Sequence, residues 1–164
     1  MEVGSSDWRY TTGDVIIPSS VTNKDEGTGI TYTYRVTALR RSAFSGCINI
    51  TKVVIPDSVT SIGESAFSST RNLTTVEIPD SVTSIEPAAF YGARGLSSIK
   101  VPGNVTVIPF QLFWECYALT DVEFGNGVTT IEESAFYLCE SLATLPIPAS
   151  VTSIADRVFC YCKN

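Results

Sequence analysis

The chain has 164 residues, 44% of them hydrophobic and only 17% charged, with 17 acidic against 11 basic side chains and a net charge of −6. That length suits one domain with a real core, and so few, scattered Lys and Arg argue against nucleic-acid binding and against polybasic membrane adhesion. Histidine is absent, so no Ser-His-Asp or Cys-His nucleophile system can be assembled and the commonest zinc ligand is missing.

The first segment, "MEVGSSDWRY", lacks the basic and apolar regions of a signal peptide, and no apolar run in the chain approaches the roughly 20 residues of a membrane span. Next comes "VIIPSSVT", Val15 to Thr22, followed by the insertion "NKDEGTGITYTYR". Glycines at 27 and 29 before the alternating "ITYTYRV" predict a β-hairpin. With Trp8 and Tyr10, residues 1–35 are expected to form an N-terminal cap.

From Val36 a phrase recurs: "VTALRRSAF", then "VTSIGESAF", "VTSIEPAAF" and "VTTIEESAF". Units start near residues 36, 53, 76, 99, 122 and 145; from 53 onward the period is 23, the unit at 36 lacking its leading strand, and a period of this size indicates a solenoid of stacked repeats. Within a unit, "NLTTVEIP" supplies one strand that points Leu73, Val76 and Ile78 inward, and Pro79 closes it because proline donates no ladder hydrogen bond. "SVTSI" supplies a second short extended segment. "EPAAF" and "EESAF" begin with carboxylates or Pro and predict one short helical turn. Phe44, Phe67, Phe90, Phe113, Phe136 and Phe159 share one register and are expected to stack as a buried aromatic column. The last unit stops at Asn164 before its following strand, which reads as truncation inside a longer array. The uncovered edge around Leu145 to Ile147 and Val151 to Ile154 is then expected to fray or self-associate.

The pattern IP-x-S-V-T-x-I-x-x-x-A-F-x-x-C-x-x-L-T-x-V resembles the BspA-like leucine-rich repeat family over nearly the whole chain. Leu112 in place of Ala and Gly125 in place of Pro depart from it. The resulting fold class is an α/β repeat solenoid, a right-handed leucine-rich-repeat-like superhelix of 23-residue units, β-rich with short helical turns, with the array over 36–164. The resemblance implies display on, or secretion from, mucosal bacteria and some mucosal protists, and repeats that serve adhesion and host-protein binding.

Cys47, Cys116, Cys139 and Cys162 occupy the slot that holds Thr70 and Ala93 in other units, so they read as small buried residues, and free thiols are preferred over disulfides. Cys160 and Cys162 fall short of zinc spacing. Glu132 and Glu133 suit the start of a helical turn better than acid-base chemistry. No cofactor, metal or catalytic residue is assigned. The outward residues of the main sheet form two columns: Lys52, Thr75, Ser98 and Asp121, continuing to Thr144, beside Val54, Glu77, Lys100 and Glu123, continuing to Pro146. These are the candidate protein-binding surface, although Glu77, Lys100 and Glu123 on successive units also suit a purely structural charge ladder. The Thr60, Thr83, Thr106, Thr129 and Thr152 column is explained by β-propensity. The leading expectation is a non-enzymatic module binding a host or microbial surface or extracellular-matrix protein. The alternative is a structural spacer that displays another domain.

Overall fold

A repeat that alternates apolar and polar residues over four or five positions has one apolar face and nothing of its own to cover it, so the repeats stack. The computed structural model describes residues 11–163, which leaves the expected contribution of Trp8 and Tyr10 to a cap outside the described residues. In chain order the strands are β1 (Gly13–Ile16), β2 (Ser20–Lys24), β3 (Thr31–Arg35), β4 (Ala38–Leu39), β5 (Ile50–Val54), β6 (Ser61–Ile62) and β7 (Thr75–Glu77). They continue as β8 (Ser84–Ile85), β9 (Ser98–Val101), β10 (Val107–Ile108), β11 (Asp121–Phe124), β12 (Thr130–Ile131) and β13 (Ser153–Ile154).

Two rows of parallel strands run along the stack. The longer strands pair β1 to β5, β5 to β7 and β9 to β11, in registers such as Val53↔Val76 and Val122↔Ile99 that hold equivalent residues of successive repeats together. The two-residue strands form the second row, β4-β6-β8 and β10-β12-β13. Between the rows the chain turns at Pro56, Pro79, Pro102 and Pro148, whose carbonyls accept hydrogen bonds from Val59, Val82, Val105 and Val151 three residues on. In the fourth unit Gly125 takes the proline's place. A Cβ there would lie 2.3 Å from the Gly103 Cα, so the close approach of the two turn backbones admits only glycine. Leu112, the other departure, is fully buried, and the Phe90–Phe113 ring spacing beside it is 5.7 Å against 5.3 Å in the two preceding pairs.

β1 adds a strand to the long row ahead of β5, with Val15 opposite Val53. The chain then leaves the stack as the antiparallel hairpin β2–β3, with Val21 opposite Tyr34, and returns to it at β4. Every residue of β3 is exposed.

The expected helical turns do not form: no helix occurs among the described residues. The segment carrying each repeat Phe holds two residues with left-handed backbone, one column at Ser42, Ser65, Ala88, Gln111, Ser134 and Arg157, the other at Gly46, Ser69, Gly92, Glu115, Leu138 and Tyr161. This alternation turns successive N–H groups in different directions. Ala66, Ser68 and Thr70 donate within the segment to Gly63, Ser65 and Phe67, whereas Ser65, Phe67 and Ser69 donate to Pro87, Ala89 and Tyr91 of the next repeat. A single helical turn would leave its first four N–H groups without internal partners. The stacked segment satisfies them and also ties each repeat to its neighbour, which offsets the roughly 1–2 kcal/mol cost of a left-handed non-glycine residue. Glu132, read from sequence as a helix-start carboxylate, instead accepts the Phe110 N–H of the preceding repeat at 2.8 Å.

The core follows the column pattern. Phe44, Phe67, Phe90, Phe113 and Phe136 are fully buried and stacked, with ring centroids 5.2–5.7 Å apart. Phe159 departs from the expectation: it stacks on Phe136 at 5.9 Å but is 39% exposed, because among the described residues no further repeat covers its other face. Residues Leu145 to Ile147 form no strand either. Pro146 and Pro148 bracket Ile147, and neither has an N–H to give to a ladder.

Candidate interaction surfaces

The Cys slot is a hydrogen-bonding position as well as a small one. The thiols of Cys116, Cys139 and Cys162 donate to the carbonyls of Phe90, Phe113 and Phe136 at 3.1–3.2 Å, and Thr70 in the same slot donates to Phe67 at 2.7 Å. Burial pushes the Cys116 and Cys139 thiols far above the ordinary range, with the lost solvation of the thiolate as the main cause. Cys116, Cys139, Cys160 and Cys162 take part in no disulfide. The Thr column is likewise turned to structure, since Thr60, Thr83, Thr129 and Thr152 donate through Oγ1 to the carbonyl of the Thr one repeat earlier, at 3.2–3.4 Å. Among the described residues no group of three or more Asp, Glu or Cys side chains is placed to hold a metal ion.

The outward columns of the long row lie where the registers put them. Lys52 sits opposite Thr75 and Val54 opposite Glu77, and farther along Ser98 faces Asp121 and Lys100 faces Glu123. Glu77, Ser98, Lys100, Asp121 and Glu123 are exposed, and Lys52, Val54 and Thr75 are half-buried. Thr144 and Pro146 are exposed but not part of a strand. The expected charge ladder resolves into two pairs: Lys52 with Glu77, and Lys100 with Glu123 at 3.7 Å. The hydrogen bond and charge of Glu77, with a contribution from Asp14, raise the Lys52 ammonium above its ordinary pKa. Asp14 and the exposed Ile16 of β1 extend the two columns by one position. The match between "VIIP" and "VVIP" in the sequence was the signal for that extra strand.

A second surface was not singled out in the sequence. On the turn segments the residue after the repeat Phe is Tyr91, Trp114 and Tyr137 in three successive units, where other units have Ser45, Ser68 and Cys160. The three rings are half-buried and stack along the axis, at 6.1 Å between Tyr91 and Trp114 and 4.0 Å between Trp114 and Tyr137. Tyr161 closes the row edge-on to Tyr137 at 5.2 Å. Beside them runs a cleft of about 410 Å³ whose lining includes Phe110, Trp114, Glu133, Tyr137, Arg157 and Tyr161. Arg94, paired with Glu115 at 2.8 Å, lies over the Tyr117 ring on the same segments.

Parallel strand rows with a 23-residue spacing from one repeat to the next, a stacked Phe column and, among the described residues, no helix define a β-solenoid built on leucine-rich repeats. The chain belongs to the BspA type leucine rich repeat region family, whose model matches in six copies over residues 37–164. Similar solved structures include a leucine rich cell surface protein from Faecalibacterium prausnitzii, with 29% identity and a TM-score of 0.75 over 93% of this chain and 45% of that one. The T. pallidum leucine rich repeat protein has 25% identity and a TM-score of 0.66, over 92% of this chain and 78% of its own. The pneumococcal vaccine antigen PcpA, at 21% identity and a TM-score of 0.71 over 98% of this chain and 40% of that one, shares the fold. The chain thus spans less than half the length of the Faecalibacterium protein. No match to a curated protein was found. Among the described residues no helix is long and apolar enough to cross a membrane.

Proposed function

We propose that the chain is a non-enzymatic protein-binding module of a cell-surface or secreted bacterial protein, which engages a surface or extracellular-matrix protein of a host or of another microbe. The observation that carries this reading is the contrast between columns. Phe, Thr and Cys/Thr positions repeat and turn inward or bond to backbone, whereas the outward positions of β5, β7, β9 and β11 change from Lys52 and Val54 to Asp121 and Glu123. A face with repeated architecture and varied side chains accumulates contact area with each strand added to it. The surface placement of the Faecalibacterium relative supports the location, and the absence of histidine supports a non-catalytic role.

The second reading, a spacer that displays another domain, is favoured by the pairing of Lys52 with Glu77 and of Lys100 with Glu123, which leaves those charges partly self-satisfied. The two are separated by presenting the immobilised chain to a panel of matrix and epithelial surface proteins, alongside a variant with Glu77, Lys100 and Glu123 changed to Ser. Saturable capture lost in the variant is expected. A chain that captures nothing, or whose capture survives the triple change, overturns the sheet-face reading.

A further inference from the structure

We infer that Asn126 with Gly127 is a site of spontaneous covalent modification, at which the asparagine side chain closes on the following backbone nitrogen and hydrolyses to aspartate and isoaspartate. The site lies in the turn between β11 and β12 and is independent of the sheet-face reading. Asn126 is exposed, and it is the one asparagine of the chain that precedes glycine. Neither its side-chain amide nor the Gly127 N–H has a hydrogen-bond partner among the described residues. The equivalent turns are held more firmly. Their closing bonds, from Val59, Val82, Val105 and Val151 to the proline carbonyl, measure 3.0–3.1 Å, whereas Val128 reaches Gly125 at 3.5 Å. Ser58, Ser81, Asn104 and Ser150 each also donate a side-chain hydrogen bond to a backbone carbonyl earlier in the stack, a tie that Gly127 in the same column cannot make. A Cβ at Gly127 would overlap the Gly103 carbonyl oxygen, so the packing that admits only glycine there also sets the least hindered neighbour beside Asn126.

The reaction needs only the chain and water. The Gly127 amide nitrogen attacks the Asn126 side-chain carbonyl carbon. An N–C bond forms, the C–Nδ2 bond breaks, and ammonia leaves carrying the proton that the backbone nitrogen gave up. Water then opens the cyclic imide at one or other carbonyl, which gives aspartate or isoaspartate and adds a negative charge to a chain of net charge −6. The products differ in consequence. Asp57 and Asp80 hold this position in other repeats, so aspartate fits the stack. Isoaspartate routes the backbone through the side chain and lengthens a turn that packs against Gly103, so it loosens the step from β11 to β12. Asn72 and Asn104 are exposed too, but the nitrogen after each is engaged, Leu73 donating to Thr70 and Val105 to Pro102.

The test ages the whole chain at neutral and at mildly alkaline pH, both native and in urea, and follows each asparagine by peptide mapping. Native conversion at Asn126 is expected to run about tenfold or more ahead of Asn72 and Asn104, to speed up at the higher pH as the Gly127 nitrogen gives up its proton more readily, and to stay within about tenfold of the rate in urea. A methyltransferase specific for isoaspartyl carboxylates should label the aged native protein. Asn126→Ala, which puts at this position the residue that Ala149 supplies in the last unit, should lose that label. Asn126→Asp should keep the urea midpoint, while the isoaspartate fraction separated from aged protein should unfold at lower urea. Equal native rates at Asn126 and Asn104, a native rate more than about tenfold below that in urea, or a label that persists in Asn126→Ala overturns the proposal.

Discussion

Replacing Phe90 with Ala tests the stacking argument at its centre. The Phe90 ring is fully buried and sits between Phe67 at 5.3 Å and Phe113 at 5.7 Å. Burying a phenylalanine side chain contributes roughly 1.5–3 kcal/mol by transfer, and each ring contact adds about 0.5–1.5 kcal/mol. Truncation should therefore cost about 3–5 kcal/mol, the usual range for a core aromatic whose cavity collapses only in part. Phe159→Ala is the internal control: with one ring neighbour and 39% exposure it should cost less than half as much. Urea unfolding followed by circular dichroism reads both values. Because repeats couple mainly to their neighbours, the Phe90 variant should also show a shallower transition as the array divides on either side of the weak repeat. A loss below about 1 kcal/mol for Phe90→Ala, or equal losses for the two variants, would refute the coupled aromatic column.

Ser69→Gly should leave stability unchanged or raise it by up to about 1 kcal/mol in urea unfolding, since Ser69 has φ +60° where Gly46 and Gly92 stand in other repeats, while Ser69→Val should destabilise. In the native protein a thiol reagent should modify Cys160 and Cys162 first, with Cys116 and Cys139 reacting only on unfolding, because burial suppresses their thiolates; mass spectrometry of partially labelled protein reads the order. Elemental analysis of protein purified without chelators should find no stoichiometric zinc.

What the sequence made legible is what a period can carry. The Phe register, the Pro-closed turns and the hairpin at glycines 27 and 29 are all local patterns with one physical reading, and the structure has them. The segment "EESAF" has a second reading. Taken alone, carboxylates before Ala favour a helix start, and only the presence of the next repeat makes it better for Ser134, Phe136 and Leu138 to donate across to Asp156, Val158 and Cys160. That preference belongs to the stack and has no trace in one unit. The aromatic row was legible but diluted, since Tyr91, Trp114 and Tyr137 occupy a position that is Ser or Cys in the other three units. Similarly, the Thr column looked like β-propensity until the Oγ1 bonds to the preceding repeat gave it a specific task.

The same cross-repeat donors make a residue-by-residue prediction for the last unit. In each earlier repeat the two left-handed positions and the Phe between them give their amides to the repeat that follows, as Ser134, Phe136 and Leu138 do. Arg157, Phe159 and Tyr161 occupy those positions in the last described unit, and among the described residues no later carbonyls face them. Their neighbours keep local bonds, with Cys160 donating to Arg157 and Cys162 to Phe159. Native-state hydrogen exchange should therefore show slow amides at 134, 136 and 138 and fast ones at 157, 159 and 161, with the region from 145 onward faster than the central repeats as a whole. The exposed Ile147, Ile154 and Phe159 at the same end give a second copy of the chain an apolar edge to meet, and β13 pairs with β12 on one side only. If copies associate there, protection at 157, 159 and 161 should rise with protein concentration and fall on dilution, in step with the mass measured by sedimentation. Slow exchange at those three amides in a sample that stays monomeric at every concentration would refute the donor pattern, because it would require an acceptor for them within the last unit itself.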